Sequence, residues 1–366
     1  MPVIESVLEL PQPWNLHHGD ALGNPRVAFR LAGAADAPVV AVLGGISAHR
    51  FLDGPRGWWP AIVGPNLGVD TTRFRVLGID YLGGRGDSST PGEGWRGDVS
   101  RDGPAPSDSW RSEPLLEDAS PGDASRDDPS RGGPSPTSPS RFPPVSTFDQ
   151  AEVLHRVVAH LGLKSLHAIV GASYGGMVGL CFSARHPESL DRLVLVSAAD
   201  RAQILSTAWR SVQRQIVREA IARGDGPAGL KLARALAMAT YRSETEFKVR
   251  FGGPPVRDAE RFRFPVEAYL FARGDDYVQK YRADSFLALS ESIDLHQVDA
   301  SSVTTPATLI AVRQDQLVPF DDMEALASRL AGPAKLVEIN SIFGHDAFLK
   351  ESAVLNPILR KALEEP

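Results

Sequence analysis

The stretch that decides the fold is Gly171-Ala-Ser-Tyr-Gly175, which matches the pattern G-x-S-x-G. A short apolar run, 168–170, precedes this stretch, and a helix-length segment, 175–186, follows it. A serine between small residues at such a strand-to-helix turn is typical of a nucleophile elbow. The N-terminus of the following helix also favours negative charge beside the serine. We therefore predict that Ser173 is a nucleophile, and a glycine-rich turn with a capping serine is the alternative.

Strands and helices alternate on both sides of this motif. Short, apolar and mostly β-branched runs predict buried strands. These runs lie at 39–43, 74–79, 168–170, 193–196, 307–312 and 335–339. Helices are predicted at 147–161, after a capping Ser146, at 175–186 and at 320–330. The alternation favours an α/β fold with a mostly parallel sheet flanked by helices.

Two segments depart from this alternation. Residues 201–302 are mostly helical in pattern and predict a helical cap inserted between two strands. One apolar face of this cap is expected to carry Trp209, Val212, Ile216 and Ala220. In residues 88–141, Ser, Pro, Gly, Asp and Arg make up 41 of 54 positions, which predicts a low-complexity, disordered insertion. The α/β core then comprises 1–87, 142–200 and 303–366.

Composition excludes several classes of protein. With 366 residues, 42% of them hydrophobic and 23% charged, the chain is neither wholly disordered nor fibrous. A net charge of −6 provides no overall attraction to nucleic acid or to an anionic membrane. The single cysteine, Cys181, excludes an intramolecular disulfide framework, and no metal-binding or phosphate-loop motif is found. We expect a soluble cytoplasmic protein without cofactor or metal.

A serine nucleophile needs a base and a carboxylate that orients the base. His345 and Asp315 each follow a predicted strand, so both side chains are expected at the carboxyl ends of the strands. Five other histidines lie in or beside predicted helices or near the N-terminus, at His17, His18, His155, His160 and His186. The order Ser173, Asp315, His345 is the one that α/β-hydrolase topology produces. The backbone N–H groups of Tyr174 and Ile46 are predicted to bind the oxyanion.

Several motifs resemble those of the homoserine O-acyltransferase family, a group of α/β-hydrolase-fold enzymes. The resemblance covers nearly all of the chain except residues 88–141. The motifs are Gly171-Ala-Ser-Tyr-Gly-Gly-Met177, Leu82-Gly-Gly-Arg-Gly-Asp-Ser-Ser89, Phe142-Pro-Pro-Val-Ser-Thr-Phe-Asp149, Ala208-Trp-Arg-Ser-Val-Gln-Arg-Gln215, Val266-Glu-Ala-Tyr-Leu270 and Gly344-His-Asp-Ala-Phe-Leu349. The histidine and cap motifs are the most specific of these.

The resemblance implies a substrate pair and its ligands. Members of the family transfer acetyl or succinyl from coenzyme A to homoserine in methionine biosynthesis, with acyl-CoA as co-substrate. Arg214 would bind the homoserine carboxylate, because a guanidinium grips a carboxylate bidentately, and Asp346 would bind the ammonium group. Arg210 and Arg218, at helical spacing from Arg214, are expected to form a solvated basic face. A homodimer through the cap is left open.

The acyl donor and the acceptor remain less defined than the fold. A succinyl donor ends in a carboxylate that needs a cation, for which Arg50 and Arg85 are the candidates. Leu317 argues for acetyl, because in similar enzymes an arginine here accompanies succinyl and a leucine accompanies acetyl. On balance we expect succinyl-CoA. Serine as acceptor, a carboxylester or thioester hydrolase with the same three residues, and a non-catalytic binding protein are the alternatives.

Overall fold

An eight-stranded sheet forms the centre of the protein. The computed structural model describes residues 2–91 and 142–364. The strands are β1 (Val3–Glu9), β2 (Arg26–Ala32), β3 (Val39–Leu43), β4 (Arg75–Ile79), β5 (Ala168–Ala172), β6 (Leu193–Val196), β7 (Ala307–Val312) and β8 (Ala334–Ile339). They are ordered β1-β2-β4-β3-β5-β6-β7-β8, and the pairings from β4 to β8 are all parallel. The mostly parallel sheet is therefore confirmed.

The six predicted runs all form strands, with ends that match or differ by one or two residues. Successive residues of β3 pack on opposite faces: Val40 and Val42 belong to one hydrophobic cluster, Ala41 and Leu43 to the other. Burial on both faces explains why these strands read as unbroken apolar runs. The two antiparallel strands β1 and β2 were not predicted. Most of β1, the edge strand, is exposed and lacks that signal.

Helices cover both faces of the sheet and fill the segment between β6 and β7. The described residues form α1 (Thr147–His160), α2 (Tyr174–Arg185), α3 (Ile204–Ala222), α4 (Gly226–Tyr241), α5 (Glu244–Phe251), α6 (Pro265–Val278), α7 (Ala283–Asp294), α8 (Phe320–Arg329), α9 (Ala347–Lys350) and α10 (Ser352–Glu364). Ser146 caps α1 as predicted, in a capping box with Asp149.

Short elements complete the described chain. Single 3₁₀ turns lie at Pro187–Ser189, Ala300–Ser302 and Gly344–Asp346. Three small two-stranded ladders pair Trp14–Asn15 with Ala21–Leu22, Val63–Gly64 with Val69–Asp70, and Val256–Asp258 with Arg261–Arg263. No helix of the described residues has both the length and the hydrophobicity to cross a membrane.

The predicted apolar face of α3 is wrong in part. Ala220 is buried as predicted, but Val212 is 54% exposed, and the buried side of the helix also carries Gln213, Arg214 and Val217. Polar side chains can occupy this face because Arg214 is paired with Asp294 of α7. Helix α3 packs against α4 and α7, and α4 against α6.

The predicted insertion begins too early. Ser88 and Ser89 are buried, and their hydroxyl groups accept hydrogen bonds from the backbone N–H groups of Ala28 and Arg26 in β2. These two serines therefore belong to the folded core, although their composition matches the segment that follows. The remainder of the prediction, residues 92–141, lies outside the described residues.

Candidate active site

The turn between β5 and α2 presents Ser173 at its apex. Ser173 has a φ of 54° and a ψ of −121°, a strained backbone for a residue with a side chain. Glycines on either side permit the turn because the backbone passes too close for a larger residue. A Cβ on Gly171 would lie 2.5 Å from the Gly175 oxygen, and one on Gly175 would lie 2.3 Å from the Leu43 carbonyl carbon. The structure therefore has the nucleophile elbow that the sequence predicts.

Three side chains from three loops meet at this turn. His345 Nε2 lies 2.8 Å from Ser173 Oγ, and His345 Nδ1 lies 2.7 Å from Asp315 Oδ2. Because a carboxylate only accepts, Nδ1 carries the proton and Nε2 is free to accept from the serine hydroxyl. The predicted set of Ser173, Asp315 and His345 is thus brought together in hydrogen-bonding order.

The Asp315 carboxylate is held by its own loop. Its Oδ1 accepts hydrogen bonds from the backbone N–H groups of Leu317 (2.8 Å) and Val318 (3.0 Å), which leaves Oδ2 for His345. Parallel register brings Val312 at the end of β7 beside Ile339 at the end of β8, so the two loops leave the sheet together. Strand register therefore places the carboxylate next to the imidazole.

The His345 loop is also fixed from the helical side. Gly344 has a φ of 56°, and a Cβ there would lie 2.9 Å from the Tyr241 carbonyl oxygen at the end of α4. The Tyr241 ring packs edge-on against the His345 ring at a centroid distance of 5.3 Å. Tyr241 gives no signal in the sequence, because it follows a run of apolar helix residues and belongs to no motif.

The environment of His345 raises its pKa. Burial lowers this pKa, but the charge and hydrogen bond of Asp315, together with the charge of Asp346, raise it by more. The charge of Arg210 acts in the opposite direction. The imidazole is therefore a stronger base than an isolated histidine, which suits the removal of a proton from a serine hydroxyl.

The two predicted oxyanion donors lie on loops that touch. Tyr174 is the first residue of α2, so its N–H has no acceptor within the helix. The loop carrying Ile46 begins at Leu43, whose backbone contacts Gly175 of the elbow. The Ile46 carbonyl accepts a hydrogen bond from the Tyr281 hydroxyl at 2.9 Å, and this bond positions the loop. Binding of an oxyanion by these two amides stays a prediction.

A cavity of about 50 Å³ lies beside Ser173, between the sheet and helices α3, α4, α6 and α7. Ser173, His345 and Ile46 line it, and so does Leu317. Its charged lining residues, within the described part of the chain, are Arg201, Arg210, Arg234 and Asp322. The cavity therefore joins the nucleophile to a set of cationic side chains from the helical segment.

Arg210 and Arg214 of α3 differ from expectation in which of them reaches the cavity. Arg214 does not line the cavity, because its guanidinium donates to the Ser290 carbonyl oxygen (3.0 Å) and to Asp294 Oδ2 (2.5 Å). Arg210, expected on a solvated face, is partly buried, lines the cavity and pairs with Asp294 Oδ1. Arg218 is exposed as expected. Asp294 engages the Arg214 guanidinium in this geometry, and a direct contact of Arg214 with the acceptor stays a prediction.

Asp346 lies behind the cavity rather than on its wall. It is buried, and its carboxylate is 2.9 Å from Nε of Arg242, which also contacts both oxygens of Glu246. It remains close enough to act on the pKa of His345. Binding of a substrate ammonium group by Asp346 stays a prediction.

Arg50, a predicted acyl-donor ligand, is engaged by carboxylates of the protein itself. Its guanidinium is surrounded by the carboxylates of Glu5, Asp80 and Asp87, and it does not line the cavity. A donor carboxylate would have to compete with these three acidic groups, and the role of Arg50 in donor binding stays a prediction. Arg85 also lies off the cavity wall, and its role in donor binding stays a prediction.

One group of described side chains has the composition of a metal site. Glu152, His155 and His186 bring three ligand atoms within 4.8 Å of one another. The two imidazole rings stack in parallel at 3.7 Å, and His186 Nε2 is 3.0 Å from the Glu152 carboxylate, whose pKa is lowered to about 2, mainly by that hydrogen bond. Parallel rings do not converge on one ion, so we assign these residues a packing role. None of them lines the cavity.

Comparison with known proteins agrees with this geometry. A family described as alpha/beta hydrolase fold matches residues 38–352. A homoserine O-succinyltransferase of Xanthomonas campestris pv. campestris is 36% identical over 343 residues, which is 92% of this chain and 79% of the relative. The chain belongs to the homoserine O-acyltransferase family of α/β-hydrolase-fold enzymes. It is therefore an acyltransferase, and the predicted family, fold and enzyme class are confirmed.

More distant relatives extend the range of named activities. An L-serine/homoserine O-acetyltransferase of Streptomyces lavendulae is 30% identical and covers 99% of this chain and 98% of its own length. A solved structure of homoserine O-acetyltransferase from Bacillus anthracis superposes with a TM-score of 0.80 at 17% identity, covering 100% of this chain and 98% of that one. Esterase E22 superposes with a TM-score of 0.77 at 19% identity, covering 99% and 100%. These two structural likenesses show the fold alone.

Proposed function

We propose that this protein transfers an acyl group from acyl-CoA to the hydroxyl of homoserine through an acyl-serine at Ser173. The observation that carries the proposal is the hydrogen-bonded chain from Ser173 through His345 to Asp315, opening onto a cavity roofed by helices. The 36% identity to a homoserine O-succinyltransferase supports the choice of substrates.

The first half-reaction forms the acyl-enzyme. His345 Nε2 takes the proton of Ser173 as the hydroxyl oxygen attacks the thioester carbonyl. The N–H groups of Tyr174 and Ile46 stabilise the resulting oxyanion. The carbon–sulfur bond then breaks, and the coenzyme A sulfur leaves with the proton held by His345.

The second half-reaction repeats this chemistry with the acceptor. His345 takes the proton of the homoserine hydroxyl, which attacks the acyl-serine carbonyl, and returns a proton to Ser173 as the ester is released. Water would intercept the same intermediate, so transfer requires that it be kept out. Helices α3, α4, α6 and α7, which enclose the cavity, would serve this purpose. The product would be an O-acylhomoserine, and we place the reaction in methionine biosynthesis.

We propose succinyl-CoA as the preferred donor. The relative at 36% identity is named a succinyltransferase, and arginines outnumber carboxylates among the described residues on the cavity wall. Serine is the second candidate acceptor, because the 30% relative is named an L-serine/homoserine enzyme and a relative from Litchfieldella anticariensis, 28% identical, is named a serine O-succinyltransferase.

The test is a four-way comparison of succinyl-CoA and acetyl-CoA against homoserine and serine. Free thiol reports coenzyme A release, and mass spectrometry identifies the product. Acyl-CoA alone should leave one acyl adduct on the peptide containing Ser173. Rapid thiol release that is independent of any amino acid would identify a hydrolase, and turnover without an adduct would show direct transfer.

A further inference from the structure

Arg234 of α4 stands out among the cations of the cavity. Its guanidinium carbon lies 5.2 Å from the Tyr241 ring centroid and 4.8 Å from that of Tyr277, so the two tyrosines hold it by cation–π contact. It lines the same cavity as Ser173 and His345. One part of the N–H edge is hydrogen-bonded to the Tyr241 side chain, and the shape of the remaining edge matches a carboxylate.

The carboxylates near Arg234 form ion pairs with other arginines. Asp346, whose charge reaches Arg234, is paired with Arg242, and Glu246 is shared by Arg242 and Arg250. Within residues 2–91 and 142–364, no carboxylate forms an ion pair with Arg234. Arg234, Arg242 and Arg250 thus carry one positive charge more than Asp346 and Glu246 neutralise, and Arg234 is the one of the three without an ion pair.

The other cations on the cavity wall, unlike Arg234, have carboxylate partners. Arg210 is paired with Asp294, and Arg201 with Asp200. Asp322, which also lines the cavity, is acted on by the charge of Arg201 rather than by that of Arg234. Placing an unpaired guanidinium in a partly enclosed site costs free energy, and a bound anion would offset that cost.

The two tyrosines also place Arg234 within reach of the reaction. Tyr241 packs against the His345 ring, and Tyr277 contacts the side chain of Ser47, the residue after Ile46. Arg234 thus lies between the base and the oxyanion loop. A succinyl group and homoserine each carry a carboxylate two or three carbons from the reacting atom, so either carboxylate could reach it.

We propose that Arg234 is the residue that binds a substrate carboxylate in this cavity. The proposal rests on the proposed function for its choice of substrates. The carboxylate comes either from the acyl group of the donor or from the amino-acid acceptor. A substrate without this carboxylate would leave the charge of Arg234 unpaired, so Arg234 selects for substrates that carry it. Arg234 would then set specificity without taking part in proton transfer.

The experiment compares Arg234→Gln and Arg234→Lys with wild type. Arg218→Gln, an exposed arginine on α3, is the matched control. Three quantities are measured: the acylation burst with acetyl-CoA alone, the same burst with succinyl-CoA, and kcat/KM for homoserine with acetyl-CoA as donor. Circular dichroism and thermal melting show whether each variant is folded.

Each outcome has a distinct meaning. A loss of roughly 10- to 100-fold in Arg234→Gln, confined to the succinyl burst, identifies the donor carboxylate, and a loss confined to homoserine kcat/KM identifies the acceptor carboxylate. Partial recovery in Arg234→Lys is expected in both cases. Equal losses that include the acetyl burst, or no loss at all, would overturn the proposal. Failure of wild type to acylate with either donor would refute the proposed function instead.

Discussion

Replacing Asp315 with asparagine tests how the catalytic imidazole is oriented. In the wild type, Asp315 Oδ1 accepts from the N–H groups of Leu317 and Val318, and Oδ2 accepts from His345 Nδ1. Asparagine has one oxygen and one NH₂ group. The oxygen must face the two backbone donors, because an NH₂ group there would meet two N–H groups. The NH₂ group then points at His345.

This exchange reverses the hydrogen bond to the imidazole. The NH₂ group donates to Nδ1, so the imidazole proton moves to Nε2, and Nε2 can no longer accept the proton of Ser173. In a serine protease with the same three side chains, this change of tautomer lowers the rate on the order of 10⁴-fold. We expect a similar loss here, which corresponds to about 5.4 kcal/mol of transition-state stabilisation. The pKa of His345 should fall as well, since Asp315 supplies the influences that raise it most.

The assay is single-turnover release of coenzyme A, with folding followed by circular dichroism and thermal melting. Asp315→Asn should melt close to wild type, because the side chain keeps its shape and every hydrogen-bonding group keeps a partner. Asp36→Asn makes the same chemical change at an exposed position and should leave the rate unchanged. A folded Asp315→Asn enzyme within about 10-fold of wild type would refute the tautomer argument.

Changes at Ser173, at the charges around His345 and in residues 92–141 test other parts of the protein. Ser173→Ala should lower transfer 10³-fold or more and abolish the acyl adduct, as measured by thiol release and mass spectrometry; residual transfer near the wild-type rate would identify another nucleophile. Since His345 must be neutral to act as a base, acylation kcat/KM should fall as pH drops through its pKa, which lies above the ordinary value. Asp346→Asn should move that fall to lower pH and Arg210→Gln to higher pH, because their charges raise and lower this pKa, respectively; shifts in the same direction would contradict this assignment. Replacing residues 92–141 with a short Gly/Ser linker should preserve activity, because the sequence of this segment offers few apolar side chains for a core. A large rise in the acyl-CoA KM would show that it binds the donor.

Ser173, Asp315 and His345 could be found from sequence because each follows a recognisable strand. An apolar run buried on both faces reads clearly, and parallel strands deliver their carboxyl ends to one edge of the sheet. The residues just after such runs must therefore be neighbours, even when they are 172 positions apart in the chain, as Ser173 and His345 are. These loops can be placed from the strand order alone, without knowing how the surrounding side chains pack.

The arginines could not be assigned in the same way. Helical spacing shows that Arg210 and Arg214 share a face of α3, but not that Asp294, on α7, lies opposite them. Arg50 stands close in sequence to the oxyanion loop, yet β1 and β4 bring carboxylates to it from Glu5 and Asp80. The charge that a cation has available depends on partners from distant segments, and sequence spacing does not record them.

Arg234 shows most directly that sequence spacing does not reveal the partners of a cation. It lies between Ala233 and Ala235, which are both buried. A charged residue between two alanines of an apolar helix is therefore the one sign of Arg234 that the sequence carries. The sequence by itself determined the α/β order, the elbow and the three hydrogen-bonded residues, because local patterning and strand direction are enough to place them. Only the tertiary structure decided which arginines are neutralised and which one faces the nucleophile unpaired, because that depends on how the helices above the sheet pack side by side.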